Sequence, residues 1–167
     1  MKIFLIGLMG SGKSFWSTKL GSILNIPSFD LDKEIEKAEA KTIAEIFENK
    51  GEDYFRIKEN EALKSFTSNN NFILSTGGGA PCYHNNIDWM NANGITIWID
   101  ESIEIIAERL LKEKTHRPLI ANVPDEELKD FLAQMRERRA PFYSKAKHHF
   151  NKIITQENFL KIISTNE

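Results

Sequence analysis

"GLMGSGKS" occupies residues 7–14, directly behind the apolar run "KIFLIG" (2–7). Gly7, Gly12, Lys13 and Ser14 fit the spacing G-x-x-x-x-G-K-[ST] of a phosphate-binding loop. Glycines at 7, 10 and 12 remove Cβ atoms, so backbone N–H groups can converge on a phosphate. A helix opening near Lys13 adds the positive end of its dipole. Lys13 can then reach the β- and γ-phosphates, and the Ser14 hydroxyl can bind Mg²⁺. Gly10, Ser11, Gly12, Lys13, Ser14 and Phe15 form the expected nucleotide contacts. A dinucleotide fingerprint, G-x-G-x-x-G, fails because Phe15 stands where its third glycine is needed.

Outward from this loop, short apolar runs alternate with amphipathic, charged segments. Strands are expected at 2–7, 26–29, 71–76, 95–100 and 149–154. Helices are expected at 13–25, with Trp16, Leu20, Ile23 and Leu24 at helical spacing, and at 30–41. Thr42 and Glu45 offer a capping box for the next helix, which Gly51 is expected to end. Further helices are read at 52–67, 85–93, 102–114 and 156–163. Asn122 and Pro124 fit a cap and first turn for a helix through "PDEELKDFLAQMRERRAPFYS", which Pro141 helps end. Alternation of this kind predicts an α/β fold: a mostly parallel sheet, covered on both faces, with ligands beyond the C-terminal strand ends. No repeat or linker divides residues 1–167, so one domain is expected.

The whole-chain balance narrows the partners. The 167 residues are 41% hydrophobic and 28% charged, with a net charge of −2. Such a chain has no overall positive field for nucleic acid or an anionic membrane, so an anionic partner needs a local cluster of cations. The basic runs "KEKTHR" and "RERR" are balanced by surrounding acids. The sole cysteine, Cys82, cannot form an internal disulfide, and no apolar stretch reaches the ~18 residues of a membrane span. A cytoplasmic protein is expected. His148 and His149 are adjacent, so on a strand they face opposite sides and cannot readily share a metal.

Beyond the loop, four segments carry candidate chemistry. Asp30 and Asp32 in "FDLDKEIE" can hold Mg²⁺ waters or accept a hydroxyl proton, or can simply favour a helix N-terminus. In "ENKGEDYFRIKENE" (48–61), Glu52, Arg56 and Glu59 share a helix face at i,i+4 and i,i+3. That is a surface ion pair or, between Tyr54 and Phe55, an arginine locked and aimed into a cleft. "STGGGAP" (75–81) sets Gly77, Gly78 and Gly79 at a strand end, where a backbone must approach a ligand closely. Arg117 in "THRPLI" lies in a polar connection of the kind that closes over a substrate and brings a cation to a transferring phosphoryl group. Arg139 lies in "ERRAPFY".

Taken in order, "GLMGSGKS", "DLD", "GEDYFRIKE", "TGGGA", "RPLI" and "RRAPFY" resemble the shikimate kinase family, from residue 3 to about 145. The resemblance implies a fold like that of nucleoside monophosphate kinases: a P-loop three-layer sandwich with a five-stranded parallel sheet ordered 2-3-1-4-5. It implies transfer of the ATP γ-phosphate to the 3-hydroxyl of shikimate, with Mg²⁺, in aromatic amino-acid synthesis. Under it, Asp32 holds the acceptor hydroxyl and Asp30 contacts Mg²⁺ through water. Arg56, Arg139 and the glycines around Gly78 hold shikimate, and Glu59 orients Arg56. Arg117 is the lid arginine, in a lid of about 112–124; acceptor-binding helices span about 30–66; Arg109 lies against adenine. Lys13, Asp32 and Arg117 form the catalytic group. A monomer is expected. "RPLI" replaces the commoner "RPLL", and "FILST" lacks an acidic residue at its end. Beyond residue 145 the match is one of pattern only. Two rivals remain: a kinase of another small hydroxy acid such as gluconate, which "GEDYFRIKE" and the triple glycine disfavour, and a non-catalytic nucleotide-binding regulator, which Lys13, Ser14, Asp32 and Arg117 disfavour.

Overall fold

Alternate residues of the first strand, β1 (Lys2–Ile6), face opposite ways, and both faces are apolar, so both must be covered. Ile3 and Leu5 point to one side with Ile73, Ile95, Ile97 and Ile99; Phe4 and Ile6 point to the other with Phe72, Leu74 and Trp98. The first face is covered by α1 (Lys13–Leu24) and α7 (Gln156–Thr165), through Leu20, Phe159 and Ile163. The second is covered by α2 (Leu31–Glu39), α3 (Ile43–Ser65), α4 (Asn86–Asn93), α5 (Ile103–Leu111) and α6 (Leu128–Tyr143). Between them β2 (Ser28–Asp30), β3 (Phe72–Ser75), β4 (Ile95–Ile99) and β5 (His148–Phe150) join β1 in one sheet, ordered β2-β3-β1-β4-β5 and parallel throughout. This is the expected three-layer architecture. The structure, a computed structural model, describes residues 1–112, 119–151 and 154–165. Among the described residues no helix is long and apolar enough to cross a membrane.

Several boundaries differ from the sequence reading for local reasons. Edge strand β2 starts at Ser28, because Pro27 has no N–H to give the ladder; its carbonyl accepts from Ile73 at 2.9 Å. Ile23 is half-exposed, since α1 packs through Ser17, Leu20 and Gly21 instead. Gly51 does not end its helix. It kinks it at φ 82°, and α3 runs on to Ser65. The box on α3 forms as read, with Thr42 Oγ1 accepting from Glu45 N and Glu45 Oε2 accepting from Thr42 N. Asn122 caps nothing: a 3-10 turn, Asp125–Glu127, follows Pro124 and leads into α6. Pro141 is tolerated inside the last turn of α6, which ends at Tyr143. β5 stops at Phe150, short of the expected residue 154.

Candidate active site

The chain turns sharply at the end of β1. A Cβ on Gly7 would lie 2.4 Å from the Ile99 carbonyl oxygen, and Gly10 and Gly12 sit at φ 75° and 96°. Only glycine enters those conformations without strain. The loop thereby wraps a cavity of 370 Å³ in front of the N-terminus of α1, lined by residues including Gly10, Gly12, Lys13, Ser14, Phe15, Asp30 and Asp32. Lys13 is buried, and its Nζ donates to the carbonyls of Gly7 (2.9 Å) and Leu8 (2.6 Å). Asp30 serves both readings left open by the sequence. Its Oδ1 caps α2 by accepting from Asp32 N (3.1 Å), and its Oδ2 accepts from the Ser14 hydroxyl (2.8 Å). Ser75 Oγ lies 3.2 Å from Ser14 Oγ. Hard oxygen donors on one cavity wall suit Mg²⁺, which keeps most of its shell as water and phosphate.

A second cavity of 390 Å³ lies beside the first and shares Met9, Asp32, Gly77 and Gly78 with it. It is lined by the charged Arg56 and Arg139 and by the apolar Ile43, Phe47, Phe55 and Leu119. Arg56 is 7% exposed. Its Nη1 donates to Glu59 Oε2 (2.9 Å), while Nε and Nη2 donate to Glu52 Oε1 (3.1 and 2.9 Å). The open alternative for Arg56 is settled by burial: this is no solvated surface pair.

The triple glycine now has a spatial cause. A Cβ on Gly77 would lie 2.8 Å from Asp32 Oδ1 and 3.0 Å from Glu59 Oε1. On Gly78 it would lie 2.8 Å from Arg139 Nη1, and on Gly79 2.6 Å from both Arg56 terminal nitrogens. Each glycine makes room for the end of a charged side chain. Asp32 Oδ1 and Glu59 Oε1 are buried without a hydrogen-bond partner. Burial, then the neighbouring Asp30, raises the Asp32 carboxyl to about 6, against the pull of Lys13. Burial pushes Glu59 up to about 7 despite Arg56. Orphaned buried acceptors beside paired arginines mark a site poised for a polar ligand.

The structure brings together the loop residues 10–15, Asp30, Asp32, Arg56, Glu59, Gly77–Gly79 and Arg139. Arg109 sits where the phosphate cavity meets a further hollow of 750 Å³, lined by Phe15, Trp16, Asp100, Glu101, Asn151 and Ile154 among others. Its guanidinium donates to Gly10 O (3.0 Å) and pairs with Glu101 (3.2 Å). Arg117, with the first part of the expected lid, lies outside the described residues. The sequence reading missed Tyr143, whose hydroxyl donates to Gly78 O at 2.5 Å and ties α6 to the glycine turn. Its spacing of four from Arg139, one helical turn, was the available signal. It also missed Tyr83, whose ring lies 4.3 Å from the Arg56 guanidinium carbon.

Known proteins share this frame. The sequence model of the family described as "Shikimate kinase" matches residues 9–165. The shikimate kinase of Bacteroides thetaiotaomicron is 40% identical over 151 residues, 90% of this chain and 86% of that protein. A crystal structure of shikimate kinase from Acinetobacter baumannii in complex with shikimate is similar with a TM-score of 0.89 and 30% identity, covering 99% of this chain and 94% of that one. Deoxyadenosine kinase of M. mycoides, with bound dATP, shares the fold alone, with a TM-score of 0.60 and 15% identity over 99% of this chain and 98% of that one. On its glycine loop, its buried arginine and its matched length, the chain belongs to the shikimate kinase family.

Proposed function

We propose that this protein transfers the γ-phosphoryl group of ATP to the 3-hydroxyl of shikimate, giving ADP and shikimate 3-phosphate. The observation that carries the reading is the shared wall: a phosphate cavity and a cation-rimmed cavity meet at Asp32, Gly77 and Gly78. An acceptor hydroxyl at that wall lies next to the terminal phosphate.

Loop amides and Lys13 grip the triphosphate, and Lys13 exchanges its carbonyl partners for phosphate oxygens. Ser14, with Asp30 beside it, would hold Mg²⁺, and the ion would supply charge neutralisation to the phosphates. Arg56 and Arg139 bind the shikimate carboxylate, each charge-assisted contact contributing about 1.5–3 kcal/mol. Glu59 orients Arg56, and Ile43, Phe47 and Phe55 of the same cavity take the ring. Asp32 accepts the hydrogen bond of the reacting hydroxyl. Its raised carboxyl is still ionised at neutral pH and is a stronger acceptor than an ordinary aspartate. The new P–O bond forms at that oxygen as the γ-phosphorus leaves the β-phosphate, and the hydroxyl proton departs toward Asp32. Arg117, on a lid of about 112–124, supplies further positive charge, and Arg109 lies against adenine. The lid and the acceptor-binding helices of about 30–66 belong to one P-loop kinase domain, a cytoplasmic monomer. Burial raises its lone thiol, Cys82, to about 11, which leaves it unreactive.

A coupled assay of ADP release with shikimate, gluconate or no acceptor tests the reading. Rapid, saturable turnover is expected with shikimate alone. Equal turnover with gluconate, or undiminished ATP hydrolysis with no acceptor, overturns it.

A further inference from the structure

Tyr83 lines neither of the two cavities that share Asp32. It follows the 3-10 turn Ala80–Cys82 and is 39% exposed, so it is not a core residue. Yet its ring lies over the Arg56 guanidinium at 4.3 Å, with the Phe55 ring at 5.1 Å. Its hydroxyl donates to Glu52 Oε1 at 3.1 Å, the same oxygen that accepts Arg56 Nε and Nη2. One tyrosine therefore touches both the cation and the carboxylate that holds it.

Arg56 has five N–H donors in a fixed plane. Nε and one hydrogen of Nη2 are spent on Glu52, and one of Nη1 on Glu59. What remains is one hydrogen on each of Nη1 and Nη2. Gly79 lies against the guanidinium group itself, where a side chain would collide with both nitrogens and with Cζ. Those two hydrogens are useful only if the group does not rotate. Buried Glu59 holds Nη1, but the Glu52 side chain that holds Nε and Nη2 is about half exposed. We propose that Tyr83 is a positioning residue: it covers the guanidinium, steadies Glu52 from the solvent side, and so presents the remaining Nη1 and Nη2 hydrogens of Arg56 to the acceptor carboxylate. The aromatic face also keeps water off the cation, which strengthens the contact. The inference rests on the reading that Arg56 takes that carboxylate.

The test compares Tyr83→Ala, Tyr83→Phe and Arg56→Ala by steady-state kinetics, with shikimate and with its uncharged methyl ester as acceptors. Tyr83→Ala raises the KM for shikimate about tenfold and leaves kcat and the KM for ATP unchanged. Tyr83→Phe restores most of the loss, since the ring remains and only the Glu52 contact goes. With the ester the Tyr83→Ala effect disappears. A Tyr83→Ala loss that falls equally on ATP or on the ester, or that Phe fails to rescue, assigns Tyr83 a merely structural role and overturns the inference. If Arg56→Ala weakens shikimate but Tyr83→Ala does not, Tyr83 alone is misassigned; if Arg56→Ala leaves shikimate KM unchanged, the functional reading itself fails.

Discussion

The phosphate loop is shaped by its backbone; the cavity around Arg56 is built from side chains brought from several elements. The phosphate loop is eight consecutive residues whose shape follows from glycines at fixed spacing, with Lys13 held by carbonyls of that same loop. The acceptor cavity draws Asp32 from α2, Arg56 and Glu59 from α3, three glycines from the end of β3 and Arg139 from α6. The first carries one buried side-chain group without a partner, the Ser11 hydroxyl. The second holds two buried, unpartnered carboxylate oxygens and waits for a polar guest. Backbone recognition serves any polyphosphate, whereas a cage of converging side chains selects one small anion, because leaving any member unpaired is costly.

This contrast has consequences that can be measured. The largest is at Lys13. Replacing it with Ala removes a preorganised cation from the transferring phosphoryl group, so kcat falls about a hundred- to a thousandfold. Shikimate affinity, measured by calorimetry without nucleotide, stays unchanged. A parallel loss of shikimate affinity would mean the two sides are not separately built.

Gly79→Ala makes the reverse cut. Its φ of −84° suits alanine, so the backbone is not strained, but the new methyl would press on the Arg56 guanidinium. The KM for shikimate rises about tenfold through the displaced arginine, while ADP binding is untouched. An unaltered KM would show that Arg56 yields freely.

The smallest effect concerns stability. Asp32 is protonated more readily in the folded chain, at about 6, than its ordinary 3.8. A raised carboxyl favours folding at low pH, and that advantage is lost as pH rises through 6. Asp32→Asn, which has no charge to bury, therefore stabilises the empty protein by about 1–2 kcal/mol at pH 8, the gain fading as pH falls from about 6 to about 4 and gone below that. Thermal melts across that range read it directly. A gain independent of pH would point to packing. Turnover is lost in the same variant, so the acceptor side trades stability for function.

The legibility of the chain follows the same division. The phosphate loop, the capping box of Thr42 and Glu45 and the β-α alternation were readable because each depends on neighbours within a few residues. Glu52, Arg56 and Glu59 were placed on one helix face by spacing, but the burial of Arg56 and Glu59 was not, since the residues that cover them lie elsewhere in the chain. Tyr83 and Tyr143 carried no local signal strong enough to single them out. Their partners, Glu52 and Gly78, are 31 and 65 positions away. The misread boundaries at Gly51 and Asn122 came from residues with more than one use: glycine can kink as well as stop a helix, and asparagine can sit in a turn as well as cap one.

Local rules were thus enough to specify a parallel sheet with a phosphate-gripping turn, because hydrogen bonds and conformational preferences there span only a few positions. Packing across long separations chose which face of α3 is buried, where Gly77, Gly78 and Gly79 let charged groups approach, and why the Asp32 and Glu59 carboxyls are raised. Burial is a property of the assembled layers, and no stretch of chain contains it alone.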